Sequence, residues 1–370
     1  MAPAATGPIE KAAHVDPTVL ELRKTLTTET APLALRFRAL FSLKHLACQP
    51  GTAVPSIQAI AAAFTSPSAL LKHELAYCLG QTKNLAAVPF LRAVLEDKDE
   101  DSMCRHEAAE ALGALGDVGS LELLRELRDM KDEVDVVRET CEIAVARIEW
   151  ENSEERKLEK LKSRYVISSS SSSSTFSFYT LPANFKFARF IMQWLIFFSN
   201  SDFASIDPAP PTALTAQHPS IEELEKSLLD TKQPLFVRYR AMFGLRDLAS
   251  PPDLPTAVPA VLALAKGFAD PSALFRHEIA FVFGQLSHPA SIPALTAALS
   301  DTKEASMVRH EAAEALGSLG DEEGVEDTLK NFLNDSEEVV RDSVIVALDM
   351  AEFEKNGETE YALIPDKIVI

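Results

Sequence analysis

Thiols are scarce in this chain. Its 370 residues include four cysteines, Cys48, Cys78, Cys104 and Cys141, all in the first half and none in a CxxC pair. That excludes a disulfide framework and a zinc ribbon, and a reducing, cytoplasmic setting is expected, with the nucleus as a second compartment. The stretch MAPAATGPIEKAAHVDP lacks an apolar core of signal-peptide length. Positive charge is also in short supply: 36 Lys and Arg face 55 Asp and Glu, a formal net charge of −19. So acidic a chain repels phosphates, so nucleic acid is not expected as a partner, whereas a lysine-rich protein is. Long apolar runs are missing too. The run Phe190–Phe198, apolar except for Gln193, is about half of the roughly 20 residues that cross a bilayer, so no membrane span is expected. No segment shows the strand period. What remains is 46% apolar and 25% charged, an ordinary soluble balance on a chain long enough for a large core or two domains.

What the chain has in quantity is repetition. SPSALLKHELAYCLGQ (66–81) returns as DPSALFRHEIAFVFGQ (270–285), and SMCRHEAAEALGALGD (102–117) returns as SMVRHEAAEALGSLGD (306–321), each offset by 204 residues. One core position recurs at Leu43, Leu79, Leu112 and Val145, then at Leu245, Phe283, Leu316 and Leu348, with steps of 36, 33 and 33, then 38, 33 and 32. Each unit offers one helix such as SIPALTAALSD and a second such as RHEAAEALGAL; Pro67 and Pro271 sit where a helix is expected to begin. Helix pairs of this length are the signature of an α-solenoid, and the units resemble HEAT repeats. The expected fold is therefore all-α: a HEAT-like α-solenoid of two pseudo-symmetric halves, each with four helical-hairpin repeats. The halves are assigned to 15–150 and 216–354, with a linker or insertion at 151–215 and a tail at 355–370. The linker holds charged residues, seven serines (168–174), aromatics and a proline-rich stretch; its part 166–200 is expected to be poorly ordered.

Four of the eight histidines precede a glutamate: His73-Glu74, His106-Glu107, His277-Glu278 and His310-Glu311. All four occupy one slot of the repeat. The other units carry Phe37-Arg38, Glu139-Thr140, Tyr239-Arg240 and Asp342-Ser343 there, so the fold does not oblige the pair. At about 100° per residue, His106 points away from Ala108, Leu112 and Leu115 and lies near Ala109, Glu110 and Gly113, small residues expected to leave room above the helix. His310, His73 and His277 follow the same wheel. If the halves face each other, four imidazoles and four carboxylates meet about a pseudo-twofold axis. Buried carboxylates without counter-ions are costly, and metal ions neutralise them. Four His and several Glu suffice for two metals. Imidazole with carboxylate and no thiolate disfavours structural zinc and suits iron or manganese with open positions. Glu110 and Glu314, one turn after their histidines, are rival ligands.

Four His-Glu pairs in two halves of a HEAT-like repeat protein resemble the deoxyhypusine hydroxylase family. The resemblance covers nearly the whole chain, and it implies a non-haem di-iron monooxygenase with two Fe(2+) per chain. The implied reaction uses dioxygen and a reductant to hydroxylate the deoxyhypusine side chain of initiation factor 5A to hypusine. It carries over to His73, Glu74, His106, Glu107, His277, Glu278, His310 and Glu311. The four histidines with Glu107 and Glu311 are the first choice as iron ligands; Glu74 and Glu278 either ligate as well or act in catalysis by binding the cationic amines of the substrate. A monomer is expected. The stretch 166–200 departs from the short polar linker that the family implies. The competing readings are a non-enzymatic HEAT scaffold that binds a basic protein, a relative of the HEAT-like bilin lyases, and a zinc-dependent hydrolase. Metal loss is expected to loosen the contact between halves, since few other residues need bridge them.

Overall fold

The computed structural model describes residues 15–154, 156–158, 205–211 and 219–355. The stretches 166–200 and 356–370 lie outside the described residues, and so does the apolar run at 190–198. Among the described residues no helix is long and apolar enough to cross a membrane.

The described residues form helices and no strand. First helices α1 (Pro17–Thr27), α3 (Ala53–Ala61), α5 (Val88–Glu96), α7 (Leu121–Asp129), α9 (Ile221–Leu229), α11 (Ala257–Ala265), α13 (Ile292–Ser300) and α15 (Val325–Lys330) alternate with second helices. The second helices are α2 (Leu33–Ala47), α4 (Ala69–Gln81), α6 (Ser102–Leu115), α8 (Asp135–Glu151), α10 (Leu235–Ala249), α12 (Ala273–Leu286), α14 (Ser306–Gly317) and α16 (Glu338–Lys355). The recurring core position is buried in seven units; Leu348 is only half-buried, because its partner α15 has six residues and covers less of α16. Pro67 and Pro271 do not begin helices. They precede the true N-caps, Ser68 and Ser272, whose hydroxyls accept from Leu71 N and Phe275 N.

A basic residue precedes the slot in all eight units: Arg36, Lys72, Arg105, Arg138, Arg238, Arg276, Arg309 and Arg341. Four of these explain why each hairpin closes. Arg36, Arg105, Arg238 and Arg309 send Nε back to the carbonyls of Leu26, Leu95, Leu228 and Leu299, at 2.9–3.1 Å, in the last turn of the first helix. A helix leaves its last carbonyls without partners, and a guanidinium there satisfies one and complements the dipole. The fork then pairs with Glu29, Glu133, Asp270 and Asp335.

The second helices pack in order around a closed ring, with α16 returning onto α2 and α8 touching α10. Glycine sets the spacing. A Cβ on Gly80 would lie 2.8 Å from Ala111, one on Gly113 3.0 Å from Ala144, and one on Gly317 2.8 Å from Ala347. These small residues therefore receive the neighbouring inner helix; they do not leave room above the histidines as the helical wheel suggested. The slots without His-Glu serve the joints between halves. Arg38 donates twice to Asp349 at 2.9 and 2.8 Å, and the Ser68 hydroxyl bonds Asp342 at 3.2 Å. At the other joint the Ser272 hydroxyl donates to Glu139 at 2.6 Å, and the Trp150 and Phe236 rings lie 6.3 Å apart. Many residues thus bridge the halves, contrary to the expectation that few do.

Residues 205–211 form a strap that ties the two halves a second time. The Tyr77 hydroxyl donates to Ser205 Oγ at 3.3 Å, and Ile206 N donates to Gln81 Oε1 at 2.6 Å. Arg147 donates to the Asp207 carbonyl at 2.9 Å, while Arg246 grips the Asp207 carboxylate at 2.6 Å. Ala209 is fully buried.

Candidate metal centre

The ring brings the four slot histidines together. His73 and His106 have ring centroids 5.4 Å apart, as do His277 and His310. Across the halves His73–His310 is 5.2 Å, His106–His277 5.3 Å and His73–His277 5.9 Å. Contacts between halves are as short as contacts within them, so this is one cluster and not two. His106 and His310 are 0% exposed, His73 5% and His277 4%. None of the eight ring nitrogens has a hydrogen-bond partner among the described residues. Glu107 Oε2 lies 3.3 Å from His73 Nε2 and Glu311 Oε2 3.4 Å from His277 Nε2, close enough to share a cation but without hydrogen-bond geometry.

Buried polar groups in folded proteins are nearly always partnered, and each orphan costs about 1–3 kcal/mol. Four buried imidazoles without hydrogen-bond partners, each able to offer one lone pair, and the carboxylates beside them are groups that could hold a metal. His73, His106 and Glu107 present ligand atoms within 4.8 Å of one another, and so do His310, Glu311 and Glu314. His73, His277 and His310 form a third such group across the halves. Glu74 and Glu278 stand outside these groups and line the adjoining cavity. Of the rival ligands, Glu314 Oε1 lies 3.5 Å from His310 Nδ1 and accepts from the Ser343 hydroxyl at 3.0 Å; Glu110 faces the cavity.

The electrostatics fit the same reading. Burial, then the neighbouring imidazoles, pushes His106 and His310 well below the ordinary histidine value, and burial with the His73 neighbour takes His277 down to about 3. These imidazoles are neutral and hold lone pairs ready for a metal. Burial pushes Glu107 and Glu311 up to about 8, with Glu311 acting on Glu107 and Glu314 on Glu311. Burial followed by Glu314 takes Glu74 up to about 8, and burial raises Glu278 and Glu110 well above the carboxylate range. So many carboxylates in one buried site require cations if they are to ionise together.

The cavity beside the cluster measures about 300 Å³. Its walls come from the slot and from positions one, four and seven residues later, so it extends from the histidines toward the C-terminal ends of the inner helices. Sequence reasoning missed Lys44, Phe41, Tyr77 and Phe281 as part of this wall. Their signal was register: each sits four or seven residues after a slot, on the face that the histidines define.

The fold and the cluster together define a helical-repeat protein of the metalloenzyme class. HEAT repeats match residues 56–146 and 258–349. The deoxyhypusine hydroxylase of Neosartorya fischeri is 67% identical over 99% of this chain and 98% of its own length, and that of Aspergillus fumigatus is 66% identical over the same shares. The human deoxyhypusine hydroxylase structure in complex with glycerol superimposes with a TM-score of 0.68 at 40% identity, covering 90% of this chain and 96% of that one. The chain belongs to the deoxyhypusine hydroxylase family and is an enzyme.

Proposed function

We propose that the chain hydroxylates the deoxyhypusine side chain of initiation factor 5A, using dioxygen and a reductant, at two ferrous ions held within one chain. His73, His106 and Glu107 would hold one ion, and His277, His310 and Glu311 the other. The observation that carries this reading is the cluster of four buried imidazoles without hydrogen-bond partners, two of them 3.3 and 3.4 Å from the Glu107 and Glu311 carboxylates, in a chain 67% identical to a deoxyhypusine hydroxylase. Iron, when bound, supplies the activation of dioxygen that no side chain can provide. In the net reaction a C–H bond becomes C–OH with one atom of dioxygen, and the other atom leaves as water with two electrons and two protons from the reductant.

The protein's part is to hold neutral imidazoles, exclude water and bind a cation. Tyr77 and Phe281, with ring centroids 6.1 Å apart, wall the cavity with apolar surface above the cluster. That surface suits the methylenes of the substrate. Glu74 and Glu278, buried and outside the ligand groups, suit its ammonium groups. The charge of −19 favours encounter with a basic loop. Four free cysteines fit a reducing compartment, the cytoplasm or nucleus. A monomer is proposed because the ring closes within one chain.

The test is to incubate purified enzyme with the deoxyhypusine form of initiation factor 5A, a reductant and ¹⁸O₂. The expected product carries one labelled oxygen atom on the deoxyhypusine residue. Label found only in water, or no mass gain with metal-loaded protein, contradicts the assignment.

A further inference from the structure

Two cations hold equivalent posts in the two halves. Lys44 follows Leu43 and Arg246 follows Leu245, the same core position of units one and five. Arg246 is fully engaged. It donates to Asp207 at 2.6 Å, to Gln285 at 3.0 Å and to Asp247 at 2.9 Å. Lys44 has none of these acceptors. His45 stands where Asp247 does. Gln81, the equivalent of Gln285, has its Oε1 engaged by Ile206 N at 2.6 Å. Asp207 comes from the segment 205–211, outside the repeats, and of these two cations it bonds Arg246. Lys44 is nonetheless buried, only 5% exposed, with Nζ 5.0 Å from the Tyr77 ring and 5.7 Å from Phe41. Among the described residues its ammonium makes no hydrogen bond or ion pair. It lines the same cavity as His73, Glu74 and Glu107. An ammonium has three N–H donors; two ring faces stabilise its charge but leave those donors without an oxygen.

Resting on the reading above, we propose that Lys44 binds the main chain of the protein substrate: its ammonium donates to a peptide carbonyl beside the deoxyhypusine residue and so separates protein-borne deoxyhypusine from free polyamines. The partner is an acceptor, because an ammonium can only donate. It is uncharged, because Glu74, Glu107, Glu110, Glu278, Glu311 and Glu314 already line the cavity and would repel another carboxylate. It is not an ammonium of the substrate side chain, which is a donor of the same charge. A peptide carbonyl is the neutral acceptor that every protein segment carries, and a free polyamine has none.

The test measures binding to the iron-loaded enzyme without oxygen, so that no turnover intervenes. Two ligands are compared: an end-blocked peptide bearing deoxyhypusine, and N-butylputrescine, which is that side chain without its backbone. Lys44→Met, which keeps the apolar packing and removes the donors, should weaken the peptide at least about tenfold, the scale of a buried charged hydrogen bond. N-butylputrescine should bind it as tightly as wild type or more tightly. Lys44→Arg keeps a donor and should hold the peptide within about threefold of wild type. Replacing the amide before or after deoxyhypusine by an ester weakens the carbonyl as an acceptor. At least one of these esters should cost wild type about threefold or more and cost Lys44→Met nothing further. Peptide affinity unchanged in Lys44→Met overturns the inference, as does an equal loss for both ligands. Equal tightening of both also overturns it, because Lys44 would then be a plug that competes with the substrate's ammonium groups. Wild-type enzyme that binds neither ligand overturns the functional reading itself, and this inference with it; tight peptide binding with the wrong pattern leaves that reading standing.

Discussion

At the scale of single residues, the site crowds buried imidazoles and carboxylates together, and bound cations would let the carboxylates ionise. Four imidazoles stripped of hydrogen bonds surround carboxylates that burial pushes toward protonation. His106→Ala or His310→Ala should lower metal content and reduce activity by about a hundredfold or more, whereas a scaffold without metal would tolerate either change. Metal analysis and turnover on the same preparations check this. The pH dependence follows from the carboxylates. Glu74, Glu107 and Glu311 titrate at about 8 in the metal-free fold against an ordinary value of 4.5. Between those values the folded state holds protons that the unfolded state has lost, so these groups make stability fall as pH rises. The depressed histidines act in the opposite sense, but only below about 6.5, where the unfolded state protonates them. The melting temperature of metal-free protein should therefore fall from pH 6.5 to 8, and metal binding should release protons. A flat or rising melting temperature over that window contradicts the electrostatic account.

At the scale of elements, each unit is a hairpin closed by a cation. Arg105 reaches the Leu95 carbonyl at 3.1 Å and both Glu133 oxygens at 2.7 Å, all buried. Arg105→Ala leaves a buried carboxylate and a helix-end carbonyl unpartnered, and should cost about 3 kcal/mol or more in denaturant unfolding with metal content per folded chain unchanged. Much of the architecture was legible in spacing alone: the step near 33 residues, the duplicated halves and the slot shared by His73, His106, His277 and His310. The meaning of the basic residue before each slot was not, because its partner carbonyl lies ten residues upstream across a turn. Direction without depth also misled. The wheel turned His106 away from Leu112 correctly, yet it could not reveal that Gly113 faces Ala144 of the next helix. Phe41 and Lys44 escaped notice because their unit has no His-Glu pair, and only the closed ring brings it beside the cavity.

At the scale of the whole molecule, the repeat closes into a ring around a polar centre, and the four units without His-Glu complete it. Arg38–Asp349, Ser68–Asp342, Ser272–Glu139 and the strap hold the halves together without metal. Chelation should therefore lower the melting temperature, by an amount set by metal affinity (about 4 kcal/mol for metal at a thousand times its Kd), while small-angle scattering shows an unchanged radius of gyration. A large expansion on chelation would mean that the metal, and not these joints, closes the ring. The central claim is that the histidine cluster is a two-iron centre. Its most direct test is the iron content of anaerobically reconstituted protein, wild type beside His73→Ala/His277→Ala, with circular dichroism confirming the fold. Two irons per wild-type chain and fewer than one in the double variant are expected. Folded, active wild-type protein carrying no iron, or a double variant that still binds two, would contradict it.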